Sequence, residues 1–298
     1  MSLSLQKRKV IQNRQGSIVP FSTQFLNKLP RSVGVEYDFS LEEEKLALFS
    51  PFKPFFSIGL DDHKELRSVP AKGDRLITTL VTVANLAKLT GRKESYNSYG
   101  YHVHVDGLDL GTPAILRILY TWQYIEDYVW KKVVHRTRQN TGFAFKLIPI
   151  PPTDNLEKTG LKTFCTGEQI NQVVKSLHRG EAFDTIPFYS TSKDTWWVGN
   201  ISRHSVAVGQ LYELGTIEFR VKEATGSEGP FEDLLMWPLF CGWLVETLSD
   251  MDDRMLVSYL NPNYTDDSKI TNTNKFLQIF LPEFVFNWFI NHANEFQV

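Results

Sequence analysis

Cysteine is nearly absent: Cys165 and Cys241 are the only two in 298 residues, and they lie far apart in the chain. Two such thiols make neither a disulfide framework nor a cluster with zinc-ligand spacing, which points to a reducing compartment. An excess of one charge is missing too. With 32 Lys plus Arg against 34 Asp plus Glu, no net basic field exists to attract nucleic acid irrespective of its sequence. The one basic run, Lys7, Arg8, Lys9 and Arg14, reads as a solvated tail. No apolar stretch reaches the length of a membrane span, and the N-terminal residues lack the apolar core of a signal peptide. These absences predict a soluble, cytoplasmic protein that engages neither nucleic acid nor membrane. The Gly-rich loop ending in Gly-Lys-Ser/Thr is also absent, which excludes phosphate binding by a P-loop.

What is present is a globular composition, 42% hydrophobic and 22% charged, with alternating patterns that place strands. Val33, Val35, Tyr37 and Phe39 alternate with Gly34, Glu36 and Asp38. Tyr101, Val103 and Val105 alternate with His102, His104 and Asp106, and Ile217, Phe219 and Val221 with Glu218 and Arg220. A short extended piece is predicted around Lys64 to Ser68, after a Pro- and Phe-rich loop from Pro51 to Phe56, and a further strand from Trp196 to Val208. Helical spacing runs through Leu76, Leu80, Val83, Ala84 and Ala87. Thr112, as N-cap before Pro113, predicts a long aromatic helix towards His135. A capping box at Thr166 to Gln169 predicts a shorter one ending near His178, after an irregular segment marked by Pro149 to Pro152 and Gly160. Gly229 and Pro230 open an apolar helix containing Pro238, and the aromatics from Phe276 to Phe289 predict closing helices. Strands and helices do not alternate strictly, so the expected class is α+β: a curved antiparallel sheet with helices packed on its outer face. The expected organisation is a leader at 1–30, one large domain at 31–250 and a C-terminal helical extension at 251–298 packed on the same domain.

Three strands thus each carry ionisable residues at i and i+2, which a strand points to one face: Glu36 with Asp38, His102 with His104, and Glu218 with Arg220. Glu65, with Arg67 two residues on, is a fourth and weaker contribution, because such a pair is ordinarily a plain ion pair. Taken singly, Glu-x-Asp on a strand is usually solvated decoration, His-x-His surface or core histidine, and Glu-Phe-Arg an ion pair, so their conjunction carries the reading. Carboxylates crowded onto one face repel unless a cation joins them. Oxygen ligands with an occasional imidazole suit Mg²⁺ or Mn²⁺, which also hold phosphate oxygens.

In that order, Gly34-Val-Glu-Tyr-Asp-Phe39, Gly100-Tyr-His-Val-His-Val-Asp106 and Gly215-Thr-Ile-Glu-Phe-Arg220 resemble the signature of the amidoligase family, relatives of glutamine synthetase and glutamate–cysteine ligases. Glu65-Leu-Arg-Ser-Val-Pro70 resembles the family's Glu-x-x-Ser-x-Pro stretch, and the family's second acid on the first strand, ordinarily Glu, is here Asp38. The resemblance runs from about Gly34 to Trp237 and implies a glutamine-synthetase-like catalytic domain. It implies that Glu36, Asp38, Glu65, His102 and Glu218 hold metal, that His104 lies near nucleotide phosphates, and that Arg220 steadies the transferred phosphoryl group. Arg203 stands where relatives often carry a second arginine.

The implied reaction is ADP-forming ligation with ATP and Mg²⁺ (or Mn²⁺). A small-molecule or peptide carboxylate is activated as an acyl phosphate and captured by an amine. The same residues would also serve a metal-dependent phosphoester hydrolase, or a binding protein that has kept the fold without turnover. The substrates, an oligomeric state, and a glutaminase or peptide partner stay open at this level.

Overall fold

The computed structural model describes residues 10–12, 18–20, 29–39, 49–51, 54–60, 64–89, 99–135, 205–207, 211, 214–224, 230–261 and 265–292. Its strands are β1 (Val10–Gln12), β2 (Ile18–Pro20), β3 (Val33–Phe39), β4 (Phe56–Leu60), β5 (Lys64–Ser68), β6 (Gly100–Asp106), β7 (Val206–Ala207) and β8 (Thr216–Glu223). Its helices are α1 (Gly73–Leu89), α2 (Thr112–Val133), α3 (Phe231–Ser249), α4 (Asp253–Tyr259), α5 (Asp266–Phe280) and α6 (Glu283–Asn291). Six strands form one sheet in the order β4-β5-β3-β6-β8-β7, with every neighbouring pair antiparallel. The fold is α+β. β1 and β2 pair with each other as a separate antiparallel ribbon, inside the stretch expected to be a leader.

Alternation makes one face of the sheet apolar. Val33, Val35 and Tyr37, Tyr101, Val103 and Val105, and Ile217 and Phe219 are all buried, each large side chain worth about 2 kcal/mol or more in water removed from apolar surface. Helices cover that face. The Tyr101 hydroxyl donates to the Leu234 carbonyl of α3 at 2.7 Å, and the Trp122 ring of α2 meets Phe219 edge-on at 5.2 Å and Trp237 at 6.4 Å. Gly242 lets α3 approach β3 closely: a Cβ there would fall 2.6 Å from Leu29 Cδ2 and 3.1 Å from Val33 Cγ2. The C-terminal helices close the same core. Phe289 of α6 stacks on Phe240 at 5.2 Å, and Lys132 donates to the Ile290 carbonyl at 2.9 Å. Among the described residues no helix is long and apolar enough to cross a membrane.

Three local expectations shift. Gly111, not Thr112, is the N-cap of α2, and Thr112 is its first helical residue. The segment following Pro54 is not only loop: Phe56–Leu60 forms edge strand β4, paired along β5. The strand expected from Trp196 to Val208 is described only as β7. Cys165, Arg203, the capping box at Thr166 to Gln169 with its helix, and the segment around Pro149 to Gly160 lie outside the described residues.

Candidate metal centre

β6 lies between β3 and β8, and the register places Glu36 opposite His102 and His104 opposite Glu218. Residues directly opposite in an antiparallel pair project to the same side. The side chains of these four therefore meet on the face away from the helices. Glu36, His102 and Glu218 each offer one ligand atom, and these lie within 4.8 Å of one another. His102 Nδ1 is 3.7 Å from Glu36 Oε2 and 3.4 Å from Glu218 Oε1, while His104 Nε2 is 3.6 Å and 3.8 Å from the same two oxygens.

The donor set fits a divalent ion. An octahedral ion with ligands at about 2.1 Å holds its donors roughly 3–4 Å apart, close to the spacing seen here. Glu218 is only 1% exposed, and among the described residues its Oε2 and the inward His104 Nε2 have no hydrogen-bond partner. Buried polar atoms of this kind are costly unless a ligand satisfies them. The other ring nitrogen of His104 lies 3.1 Å from the Thr216 hydroxyl, which orients the ring.

Burial pushes the Glu218 carboxyl up from its ordinary value, only partly opposed by Arg220 and His104. Glu36 goes the other way. Burial would raise it, but the neighbouring imidazoles of His102 and His104 outweigh burial and hold it far below the carboxylate range. For His104, burial opposes the charge, yet Glu36 and Glu218 overcome it and raise the imidazole above its ordinary value. One carboxylate stays ionised beside one that resists ionisation, a combination that a divalent cation resolves.

Arg220 donates from Nη1 to Glu218 Oε1, so its guanidinium reaches the same oxygen that faces both histidines. Asp38 and Glu65 lie outside the close triad. Asp38 Oδ2 accepts the Gly100 N–H at 2.6 Å, fastening β3 to β6. Glu65 Oε2 accepts from Arg67 Nε at 2.8 Å and Nη2 at 2.5 Å, the local ion pair anticipated as the plain alternative, and Arg67 also approaches Glu36 at 3.7 Å. Ser68 accepts the Val35 N–H at 2.8 Å and so ties β5 to β3. No family model matches the chain, and no curated protein matches it. The centre's chemistry rests on its own side chains.

Two contributors escaped the sequence reading. Thr216, at the start of β8, shares the i, i+2 spacing with Glu218 that would have put it on the same face. Lys222 had no such signal: strict alternation from Glu218 and Arg220 would place it on the acidic face, and it is found on the other one, bonded to α2 and α3.

Proposed function

We propose that the protein is an ATP-dependent carboxylate–amine ligase of glutamine-synthetase-like design, with a divalent metal held by Glu36, His102 and Glu218. The observation that carries this reading is the convergence of those three side chains, from three strands distant in sequence, on one face of an antiparallel sheet. The motif resemblance to amidoligases supplies the reaction class, and the orphaned buried oxygen of Glu218 favours a cation over a solvated acidic face.

Mg²⁺ or Mn²⁺ at this centre would neutralise the carboxylates and orient the oxygens of a bound triphosphate. The chain's own residues supply the rest. Arg220, at the rim of the centre and one-fifth exposed, offers a planar fork to an anionic oxygen. His104, whose charged form Glu36 and Glu218 favour against burial, lies beside the carboxylates where phosphate would sit. In the first step a carboxylate oxygen attacks the γ-phosphorus of ATP, the bond to ADP breaks, and an acyl phosphate forms. In the second an amine attacks the acyl carbon, phosphate leaves, and the nitrogen loses a proton to give the amide. Phosphoryl transfer of this kind depends chiefly on positioning and charge neutralisation.

The test is a screen of amino acids, polyamines and peptides for ADP release with ATP and Mg²⁺. ADP that appears only when both an acid and an amine are supplied supports the ligase. ADP without an amine supports a hydrolase. Failure of ATP and Mg²⁺ to raise the melting temperature together would favour a binding protein without turnover.

A further inference from the structure

β8 does not run in simple register along β6. Tyr101 faces Lys222, Val103 faces Phe219, and His102 between them therefore faces two residues, Arg220 and Val221. That is a β-bulge, which leaves an extra residue in one strand and turns the side chains beyond it to the opposite face. Arg220 sits inside the bulge, and its N–H is taken by the Ser205 carbonyl at 2.9 Å on the other side of β8. Beyond the bulge, Lys222 turns to the helix side. There its Nζ donates to the Val133 carbonyl at 2.5 Å and lies 3.0 Å from Glu223 Oε1 and 3.0 Å from Asp233 Oδ2. The remaining Asp233 oxygen is met by Trp288 Nε1 and His292 Nδ1, each at 3.3 Å.

We propose that Lys222, anchored behind the sheet by Asp233 and the Val133 carbonyl, is a positioning residue: it holds the bulge that sets Arg220 against Glu218 and keeps a further cation off the metal-binding face. The proposal rests on the metal reading given above. Its physical basis is the period of a strand. If the bulge relaxed, Val221 would face Tyr101, Arg220 would face His102 squarely, and Lys222 would swing to the face of Glu36 and Asp38. The ammonium would then compete with a divalent ion for those acids. It would also abandon Asp233, a buried carboxylate left with only a histidine and an indole. Removing one member of a buried ion pair is strongly unfavourable, so the anchor makes the bulged register the stable one.

The deciding variant is Lys222→Met combined with Asp233→Asn, which removes the buried ammonium together with one of its two carboxylate partners and leaves Glu223 accepting the His135 N–H at 2.9 Å. Two quantities are read: Mn²⁺ affinity by calorimetry, and the β6–β8 register by cross-strand nuclear Overhauser contacts of Tyr101. The expected result is a shift of the Tyr101 contacts from residue 222 to Val221 and Mn²⁺ binding weakened about 10- to 100-fold, the usual effect of losing an outer-shell support. His292→Ala touches Asp233 without touching β8, so it should destabilise the protein while leaving register and Mn²⁺ affinity as in wild type. A double variant that keeps the Tyr101 contact to residue 222 and wild-type Mn²⁺ affinity overturns the proposal. Should the double variant not fold, Asp233→Asn alone is read by the same two measurements with the same two outcomes. If the wild type binds no Mn²⁺, the metal reading fails by itself, while the Tyr101 contacts still decide whether Lys222 holds the bulge.

Discussion

Arg220 and Glu218, two residues apart on β8, form an ion pair through the carboxylate oxygen that also faces His102 and His104. The guanidinium thus compensates a nearly fully buried acid that a metal would otherwise neutralise. Arg220→Met should cost on the order of 2–3 kcal/mol without metal, since it strands Glu218. Saturating Mn²⁺ should recover most of that loss, while turnover with a competent acid and amine should fall by ~10³-fold or more. Urea denaturation with and without Mn²⁺ checks the first half. A loss that Mn²⁺ does not repair would mean that the ion pair and the metal do not share Glu218.

Metal ligation of the kind proposed would separate the acids of the sheet. Glu36→Gln and Glu218→Gln each remove a ligand oxygen's charge from the triad, and each should weaken Mn²⁺ binding by about 100-fold or more, beyond what outer-shell changes do. Asp38→Asn and Glu65→Gln should weaken it far less, because one carboxylate caps the Gly100 N–H and the other is held by Arg67. Calorimetric titration of the four variants would show the order. Equal losses in all four would spread the centre across β5.

Acid sensitivity should arise behind the sheet at His292. Burial lowers this imidazole from its ordinary 6.5, against the opposing pull of Asp233. The ring therefore takes a proton less readily when folded than when unfolded. Its contribution to stability is complete above the unfolded value and is lost as pH falls from about 6.5 towards the folded value. Melting temperatures taken downward from about pH 7.5 should decline in that window, and His292→Gln should flatten the decline. An identical slope in the variant would assign it to other groups.

Gly215 precedes β8 with φ at +69°, in the left-handed region, and its carbonyl accepts the Gly107 N–H at 2.9 Å. A Cβ there would also fall 2.4 Å from Leu108 Cδ2, but Leu108 is 81% exposed and free to rotate away. Backbone strain should therefore dominate, and Gly215→Ala should cost about 1 kcal/mol. Adding Leu108→Ala should restore little. Full rescue by the second change would make the clash, not the backbone, the cause.

Much of the site was legible because alternation is a local property. Val35 and Tyr37 flanking Glu36, Val103 flanked by His102 and His104, and Phe219 between Glu218 and Arg220 are enough to assign faces without knowing which strands pair. Pairing itself is not local. That Asp38 would be used by Gly100 depends on which strand ends meet, whereas the Glu65–Arg67 pair lies within one strand and its i, i+2 spacing already offered it. The bulge at Arg220 and Val221 is invisible for the same reason: the counter-charge that turns Lys222 around belongs to α3. β4 was hidden because Phe56–Leu60 follows a proline-broken stretch and is specified by its partner β5 rather than by a strong pattern of its own.

The central position of β6 has a consequence for how the centre comes into being. The strand bearing both histidines acquires its carboxylate neighbours only by pairing with β3, across the interval that contains α1, and with β8, across the much longer interval that contains α2. Contacts between such distant segments form late, since each must first close a large loop. No fragment shorter than nearly the whole sheet holds all three ligands, so a metal ion cannot serve as an early template for the chain. Capture of Mn²⁺ during refolding would instead mark the moment at which the sheet has closed, and its rate would report on β6 finding its second partner.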